Sequence, residues 1–441
     1  MRHAQIARVL DLIPPGSQDI LNLSLEEARG RLLSDRPEGV LEIEGSFALV
    51  AQDGERVRMA RSLDRPLRYF LAKQADGPML VVADRIDAIR ETLEREGYAD
   101  QFHPTYTRMA PAHHVTEIRL VGCPDPNPTY HRFFDPPRGE LPPEVETIGR
   151  AYAGALLYEV DRWLSSLPAD EPIGVLFSGG IDSGAVLIAL YHTLLGRGEA
   201  PTRLKAFTLA VDGGGSDIAQ AREFLRTCDL EILGESIEVD RRAVDPLGAV
   251  EVIEDYKALD VECAAVNLAL LQGIRDRYPK WRWLVDGDGG DENLKDYPIE
   301  ENSELTIRSV VGNRMLYQEG WGVDAVKHSL TYSGGLGRGC VRGYAPANRH
   351  GFHLFSPFTR PGVIGVAEAI PFDDMTRGSH SALYELKGRI VTSGLEQLTG
   401  IRMPANPKRR FQHGAASPEA ASRLFDGTEA RYRRHFLSLH A

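Results

Sequence analysis

Gly174-Val175-Leu176-Phe177-Ser178-Gly179-Gly180-Ile181-Asp182-Ser183-Gly184-Ala185 is the stretch that decides the fold. Gly174 to Phe177 is a short apolar run of the kind a buried parallel strand makes, and Ile181 to Leu190 reads as an apolar helix. Between them, Gly179 and Gly180 let the backbone pass close to a bulky anion. The helix then points its free amide groups and the positive end of its dipole at the same place. Ser178 and Ser183 add hydroxyl donors. Asp182 is out of character there, because a carboxylate beside phosphates repels them unless a divalent cation sits between. The stretch therefore reads as a pyrophosphate cradle with a metal-binding acid. An ordinary strand-to-helix turn of small residues is the competing reading.

Outward from the cradle, strands and helices alternate. Glu144 to Leu167 reads as a long amphipathic helix leading into it. Leu204 to Val211, Glu235 to Val239 and Trp283 to Val285 read as further buried strands, separated by helices over Asp217 to Thr227 and Val261 to Arg277. That alternation predicts a doubly wound, mainly parallel α/β sheet with its ligand at the carboxyl ends of the strands. The run Asp135 to Pro143 holds four prolines and is the clearest linker. It divides a smaller α+β domain, residues 1–140, from a larger one, residues 141–441. In the smaller domain Leu25 to Leu33 and Ile86 to Glu94 read as helices. Leu41 to Ala51, Arg56 to Arg61 and Pro78 to Ala83 read as strands.

With 441 residues the chain exceeds one hydrophobic core, and 42% hydrophobic and 26% charged residues are ordinary for a soluble protein. A net charge of −12 argues against a general nucleic-acid or membrane surface. Cys123, Cys228, Cys263 and Cys340 are too far apart for a zinc motif or a disulfide framework, which fits a reducing cytoplasm. No apolar run reaches membrane-spanning length, and the start of the chain lacks a signal-peptide pattern.

A second acidic loop, Asp286-Gly287-Asp288-Gly289-Gly290-Asp291-Glu292, follows the Trp283 to Val285 strand. Acids so crowded need a cation or a cluster of donors. If this strand neighbours the cradle strand, Asp291 and Asp182 can share a magnesium ion that bridges triphosphate oxygens. A solvated acidic turn is the competing reading. Lys387, in a helical run over Ser381 to Ser393, and Lys408, opening Lys408-Arg409-Arg410-Phe411, are candidates to neutralise charge on a leaving pyrophosphate or an intermediate. Taken singly, a lysine on a helix is more often a solvated surface residue.

With these residues in place, the chain resembles the asparagine synthetase and β-lactam synthetase family of N-type ATP pyrophosphatases. The Ser178 to Ser183 segment matches the family's Ser-Gly-Gly-x-Asp-Ser signature, and Asp286 to Glu292 resembles its second acidic loop. Gly351 to Phe358, Ala367 to Pro371, Lys387 and Lys408 to Phe411 resemble its later segments. Glu44 to Leu49 and Ala60 to Tyr69 resemble the family's glutaminase half. The resemblance implies an adenine nucleotide α-hydrolase-like synthetase domain behind a degenerate Ntn-hydrolase-like domain. It implies that a substrate carboxylate attacks the α-phosphorus of ATP, with Mg2+ as cofactor, and that an amine then displaces AMP. Carried onto this chain, Val175, Leu176, Phe177, Ser178, Gly179, Gly180, Asp182, Ser183, Phe207, Thr208, Leu209, Gly287 and Asp288 would bind the nucleotide. Asp182 and Asp291 would hold the metal, and Lys387 and Lys408 would be catalytic.

The departures sharpen the expectation. The family's glutaminase uses a cysteine directly after the initiator methionine; Arg2 stands there, so no ammonia from glutamine is expected. In the acceptor segment His353 and Phe355 replace Glu and Arg, and Arg360 replaces an Asp, which argues against aspartate as the substrate. His353 reads either as a general base for the incoming amine or as a packing residue. Expected partners are a small-molecule carboxylate and an amine, free or presented by a carrier or peptide, with a homodimer as the possible assembly. Sulfur transfer on the same activated intermediate and an inert nucleotide-binding scaffold are the alternatives. Cys340 and the glycine-rich run before it are the segment to watch for the former.

Overall fold

The computed structural model of the chain describes residues 8–74, 78–120, 127–296, 299, 305–312, 340–406, 414–415, 424–425 and 428–441. Arg2, Cys123, Lys408 and the glycine-rich run before Cys340 lie outside the described residues. The chain divides into two compact units. One takes in Met1–Asp135 and, from the other end of the chain, Arg433–Ala441; the second takes in Pro136–Leu316 and Val341–Tyr432.

The first unit is built from two four-stranded sheets. In one, Met79–Ala83 lies between Arg8–Asp11 and Arg68–Ala72. In the other, Arg56–Arg61 lies between Ala48–Asp53 and His114–Arg119. Side chains alternate as the strand period requires. Leu80 and Val82 join Tyr69, Met59, Val57 and Ile118 in a core between the sheets. Met79, Val81 and Ala83 face the other way and pack with Ile89 and Leu93 of the Ile86–Arg95 helix. The helix Leu25–Leu33 packs on the Ala48–Asp53 strand, its start fixed by a reciprocal cap between Ser24 and Glu27. The stretch expected to be one strand over Leu41 to Ala51 is broken in two. Gly45–Ser46 pairs with Asp19–Ile20, whereas Ala48–Asp53 pairs with Arg56–Arg61.

The second unit is organised on a five-stranded, wholly parallel sheet. Its order is Gly234–Val239, Leu204–Val211, Ile173–Leu176, Trp283–Val285, His353–Phe355. The cradle strand, Ile173–Leu176, is central, and the next strand in the chain lies on one side of it while Trp283–Val285 lies on the other. A crevice at the carboxyl ends of such strands is where ligands bind in open parallel sheets. The strand over His353–Phe355 was not expected from the sequence; it pairs Phe355 with Val285.

Two long helices, Val145–Ser165 and His380–Thr399, pack backbone to backbone. A Cβ on Gly149 would lie 2.7 Å from the Ile390 carbonyl oxygen and 2.8 Å from the Gly394 nitrogen. A Cβ on Gly394 would overlap the Gly149 carbonyl. No side chain fits in either place, so the glycines set how near the second helix comes to the sheet. Among the described residues no helix is long and apolar enough to cross a membrane.

Candidate functional site

The cradle forms where the central strand ends. Phe177 donates its N–H to the Phe207 carbonyl (2.8 Å), and the chain then leaves the sheet for the Ile181–Gly196 helix. The Ser178 and Ser183 Oγ atoms lie 3.3 Å apart, and the Gly180 N–H donates to Ser178 Oγ at 3.3 Å. Two neighbours hold this turn from outside. Asn406 Nδ2 donates to the Gly179 carbonyl (3.0 Å) and Gln220 Nε2 to the Ser178 carbonyl (3.3 Å).

The second acidic loop leaves the adjacent strand and passes directly against the cradle. Gly287 sits on the Asp182–Ser183 backbone, and Gly290 sits on the Asp182 carboxylate, where any side chain would overlap it. Asp291 opens the short helix Gly290–Asn293. That helix is held from behind by Asn293, whose Nδ2 donates to the Tyr152 hydroxyl (3.3 Å) and the Phe358 carbonyl (2.9 Å). The Tyr152 and Phe358 rings stack with centroids 5.9 Å apart. Burial pushes the Tyr152 hydroxyl pKa up, so it stays neutral.

Lys387 reaches this point from the His380–Thr399 helix. Its ammonium is 2.6 Å from Asp182 Oδ2, bonds Asp291 Oδ1, and lies 3.4 Å from Asp296 Oδ2. The lysine side chain is 3% exposed. Burial alone would lower its pKa, but the charges of Asp182, Asp291 and Asp296 together raise it well above the ordinary lysine value. Asp182 and Asp291 are hard oxygen donors in the first turns of neighbouring helices, beside the Ser178–Gly180 turn. That donor set suits Mg2+, which is commonly held by one or two carboxylates with substrate phosphates and water completing its octahedron.

Asp288 stands in the same loop, its N–H donating to Asp286 Oδ1 at 3.2 Å. Burial pushes the Asp288 carboxyl up to about 6, against the pull of the Arg342 guanidinium and with Glu292 and Asp291 adding to the rise. Arg342 in turn donates its Nε to Asp260 Oδ1 (2.9 Å).

The structure brings Ser178, Asp182, Ser183, Gly287, Asp291 and Lys387 together. It does not bring His353 to them. That residue opens its strand opposite Trp283, which is itself level with Ile173, so it lies at the amino end of the sheet, away from the cradle. Two residues of strand, about 6.6 Å, separate it from Phe355 at the carboxyl edge. Its ring stacks on Trp283 with centroids 4.5 Å apart. Of the two readings of His353, packing is therefore the one its position supports. Phe355 is likewise a core residue, stacked on Trp163 at 4.7 Å. Val175 is fully buried, and the Phe207 ring is consumed by packing against Trp281 and Tyr278. Thr208 and Leu209 are buried on the same strand. Cys228 is a thiol whose burial raises its pKa to about 11, the opposite of what a sulfur nucleophile requires.

Sequence reasoning missed Asp296, Asn406 and Gln220. The nearest signal for Asp296 was its place five residues after Asp291, beyond the acidic motif. Asn406 lies two residues before Lys408, so the segment was noticed without the residue that ties it to the cradle.

Comparisons with known proteins point the same way. Residues 164–323, from the end of the Val145–Ser165 helix through the acidic loop, match the asparagine synthase family model. Over 274 residues the chain is 24% identical to a probable glutamine-hydrolyzing asparagine synthetase of Acanthamoeba polyphaga mimivirus. That match takes in 58% of this chain and 46% of the relative, so the chain spans less than half of the relative's length. Over the part that carries the cradle and the acidic loop, the chain is thus similar to the asparagine synthase family.

Proposed function

We propose that this chain is an ATP-dependent ligase that forms an amide. In this reading a substrate carboxylate attacks the α-phosphorus of ATP and pyrophosphate leaves; an amine then displaces AMP from the acyl-adenylate. The observation that carries the reading is the convergence of Asp182 and Asp291, from loops after neighbouring strands, on a buried Lys387 beside the Ser178–Ser183 turn. The hydroxyls of that turn and the amides opening its helix would hold the departing pyrophosphate. Asp182 and Asp291 would hold magnesium, which supplies charge neutralisation on the triphosphate. Lys387 keeps its proton inside the protein, so its positive charge stands ready where negative charge develops.

The sheet, with its strand order turning about the cradle strand, is read as doubly wound and adenine nucleotide α-hydrolase-like. The first unit, with helices packed on two sheets, is read as an Ntn-hydrolase-like scaffold. Glutamine hydrolysis is left out of the reaction, since Arg2 stands where the family resemblance calls for the cysteine nucleophile. Aspartate is left out as the acceptor because Phe355 offers a core ring where the family resemblance calls for an arginine.

The test is to supply ATP, Mg2+ and a panel of carboxylic acids and amines, follow pyrophosphate, and identify the product by mass spectrometry. The expected result is AMP and pyrophosphate in equal amounts with at least one acid. Release of ADP and phosphate instead would overturn adenylation. Tight ATP binding with no cleavage under any condition would replace the enzyme with a nucleotide-binding scaffold.

A further inference from the structure

The three carboxylates around the Lys387 ammonium are not alike. Side-chain exposure rises from 12% for Asp296 to 20% for Asp182 and 33% for Asp291. Asp296 is thus the least exposed of the three. Its N–H donates to the Asp291 carbonyl (3.0 Å), and its preceding neighbours Leu294 and Lys295 are buried. Asp182 opens the helix after the Ser178–Gly180 turn and Asp291 follows Gly290, which packs on the Asp182 carboxylate, whereas Asp296 lies five residues further on.

We infer that Asp296 is a positioning residue: the resident counter-ion of Lys387, which keeps the ammonium in place when Asp182 and Asp291 turn to a divalent cation. The inference rests on the reading of those two aspartates as metal ligands. A buried ammonium whose two closest carboxylates are drawn away would be left uncompensated, a costly state. It would then either hold the aspartates back or leave its place. With Asp296 beside it, the ammonium keeps a partner at 3.4 Å and the other two carboxylates are released for the metal. No bond is made or broken in this exchange; only the sharing of charge changes.

The test is Mn2+ binding to the full-length protein with a non-hydrolysable ATP analogue, read from the electron paramagnetic resonance signal of free Mn2+, in parallel with kcat and KM for pyrophosphate release. Asp296→Asn is expected to weaken Mn2+ binding about tenfold, within the range for coupled neighbouring charges. It should lower kcat more than it raises KM for ATP, and Asp296→Glu should restore part of both. In a Lys387→Met background, adding Asp296→Asn should change Mn2+ affinity less than twofold, roughly the limit for uncoupled sites. Unchanged Mn2+ affinity in Asp296→Asn, with wild-type binding intact and lost in Asp182→Asn, would overturn the role of Asp296 alone. Absence of nucleotide-linked Mn2+ binding in the wild type would instead overturn the metal reading beneath it. Equal weakening by Asp296→Asn with and without Lys387 would reduce Asp296 to a long-range charge and overturn the inference. Should Asp296→Asn not fold, Asp296→Glu decides by the same comparison, since a displaced carboxylate should still weaken binding only when Lys387 is present.

Discussion

Both units of this chain bury positive charge, and they do so in different ways. In the first, the charge is carried by arginine and answered mostly by backbone. Arg61 donates to the carbonyls of Ala110 (2.7 Å), Ser62 (3.3 Å), Leu63 (3.1 Å) and Arg65 (3.2 Å). Arg65 donates to the carbonyl and hydroxyl of Ser17, and Arg58 to the Leu32 and Ser34 carbonyls and to Glu117. In the second unit, beside buried Arg203, Lys295 and Arg360, the charge at the candidate site is the Lys387 ammonium, answered by three carboxylates. A guanidinium spreads five donors in a fixed plane and can staple several strand ends at once. An ammonium is a compact charge that can be shared in changing proportions among its neighbours. One arrangement serves to hold a fold and the other to take part in an exchange.

The largest effect that would test this division is on turnover. Asp182→Asn should lower pyrophosphate release about a thousandfold, the upper range for loss of one electrostatic contact in a reacting site. Lys387 would still have Asp291 and Asp296, so a urea denaturation curve should move far less than for the arginine staple. Next comes Arg61→Met, which strips donors from four carbonyls. It should destabilise the protein by about 3 kcal/mol in the same assay. If Asp182→Asn unfolds the protein while Arg61→Met is neutral, the comparison is reversed.

A smaller effect should appear in the pH dependence. Burial raises Asp288 from an ordinary 3.8 to about 6, so the folded state favours its protonated form. Its contribution to stability is complete below pH 4 and is lost as pH rises toward 6. Asp288→Asn should flatten that decline, measured as urea midpoints from pH 4 to 7. The smallest effect is expected at His353. His353→Gln should leave kcat within about threefold, because its ring packs on Trp283 at the far edge of the sheet, and cost about 1 kcal/mol for the lost stacking. A hundredfold loss of kcat would bring the general-base reading back.

What the sequence made legible follows from how local each feature is. The cradle could be read because strand, turn and helix are contiguous between Gly174 and Ala189. The acidic loop could be read for the same reason. Lys387 stood out only through resemblance, since its partners Asp182 and Asp291 lie 205 and 96 residues away. For His353 the sequence left base and packing both open, because a short motif does not say at which end of a parallel strand a residue will lie. Phe207 reads as a site residue until its ring is seen packed on Trp281 and Tyr278. In the first unit the strand His114–Arg119 escaped notice because fully buried Thr116 and partly buried Glu117 blur its alternation.

The contact between Gly149 and Gly394 also decides what kind of motion the ammonium can undergo. A helix that slid one turn along its neighbour, about 5.4 Å, would bring Ile390 or Leu398 to the place of Gly394. Neither side chain could enter the gap against the Gly149 backbone. A ratchet of this kind, which other proteins use as a switch, is closed to the lysine helix. Lys387 therefore stands at one fixed height above the sheet, and any tuning of the site falls to the carboxylates that face it.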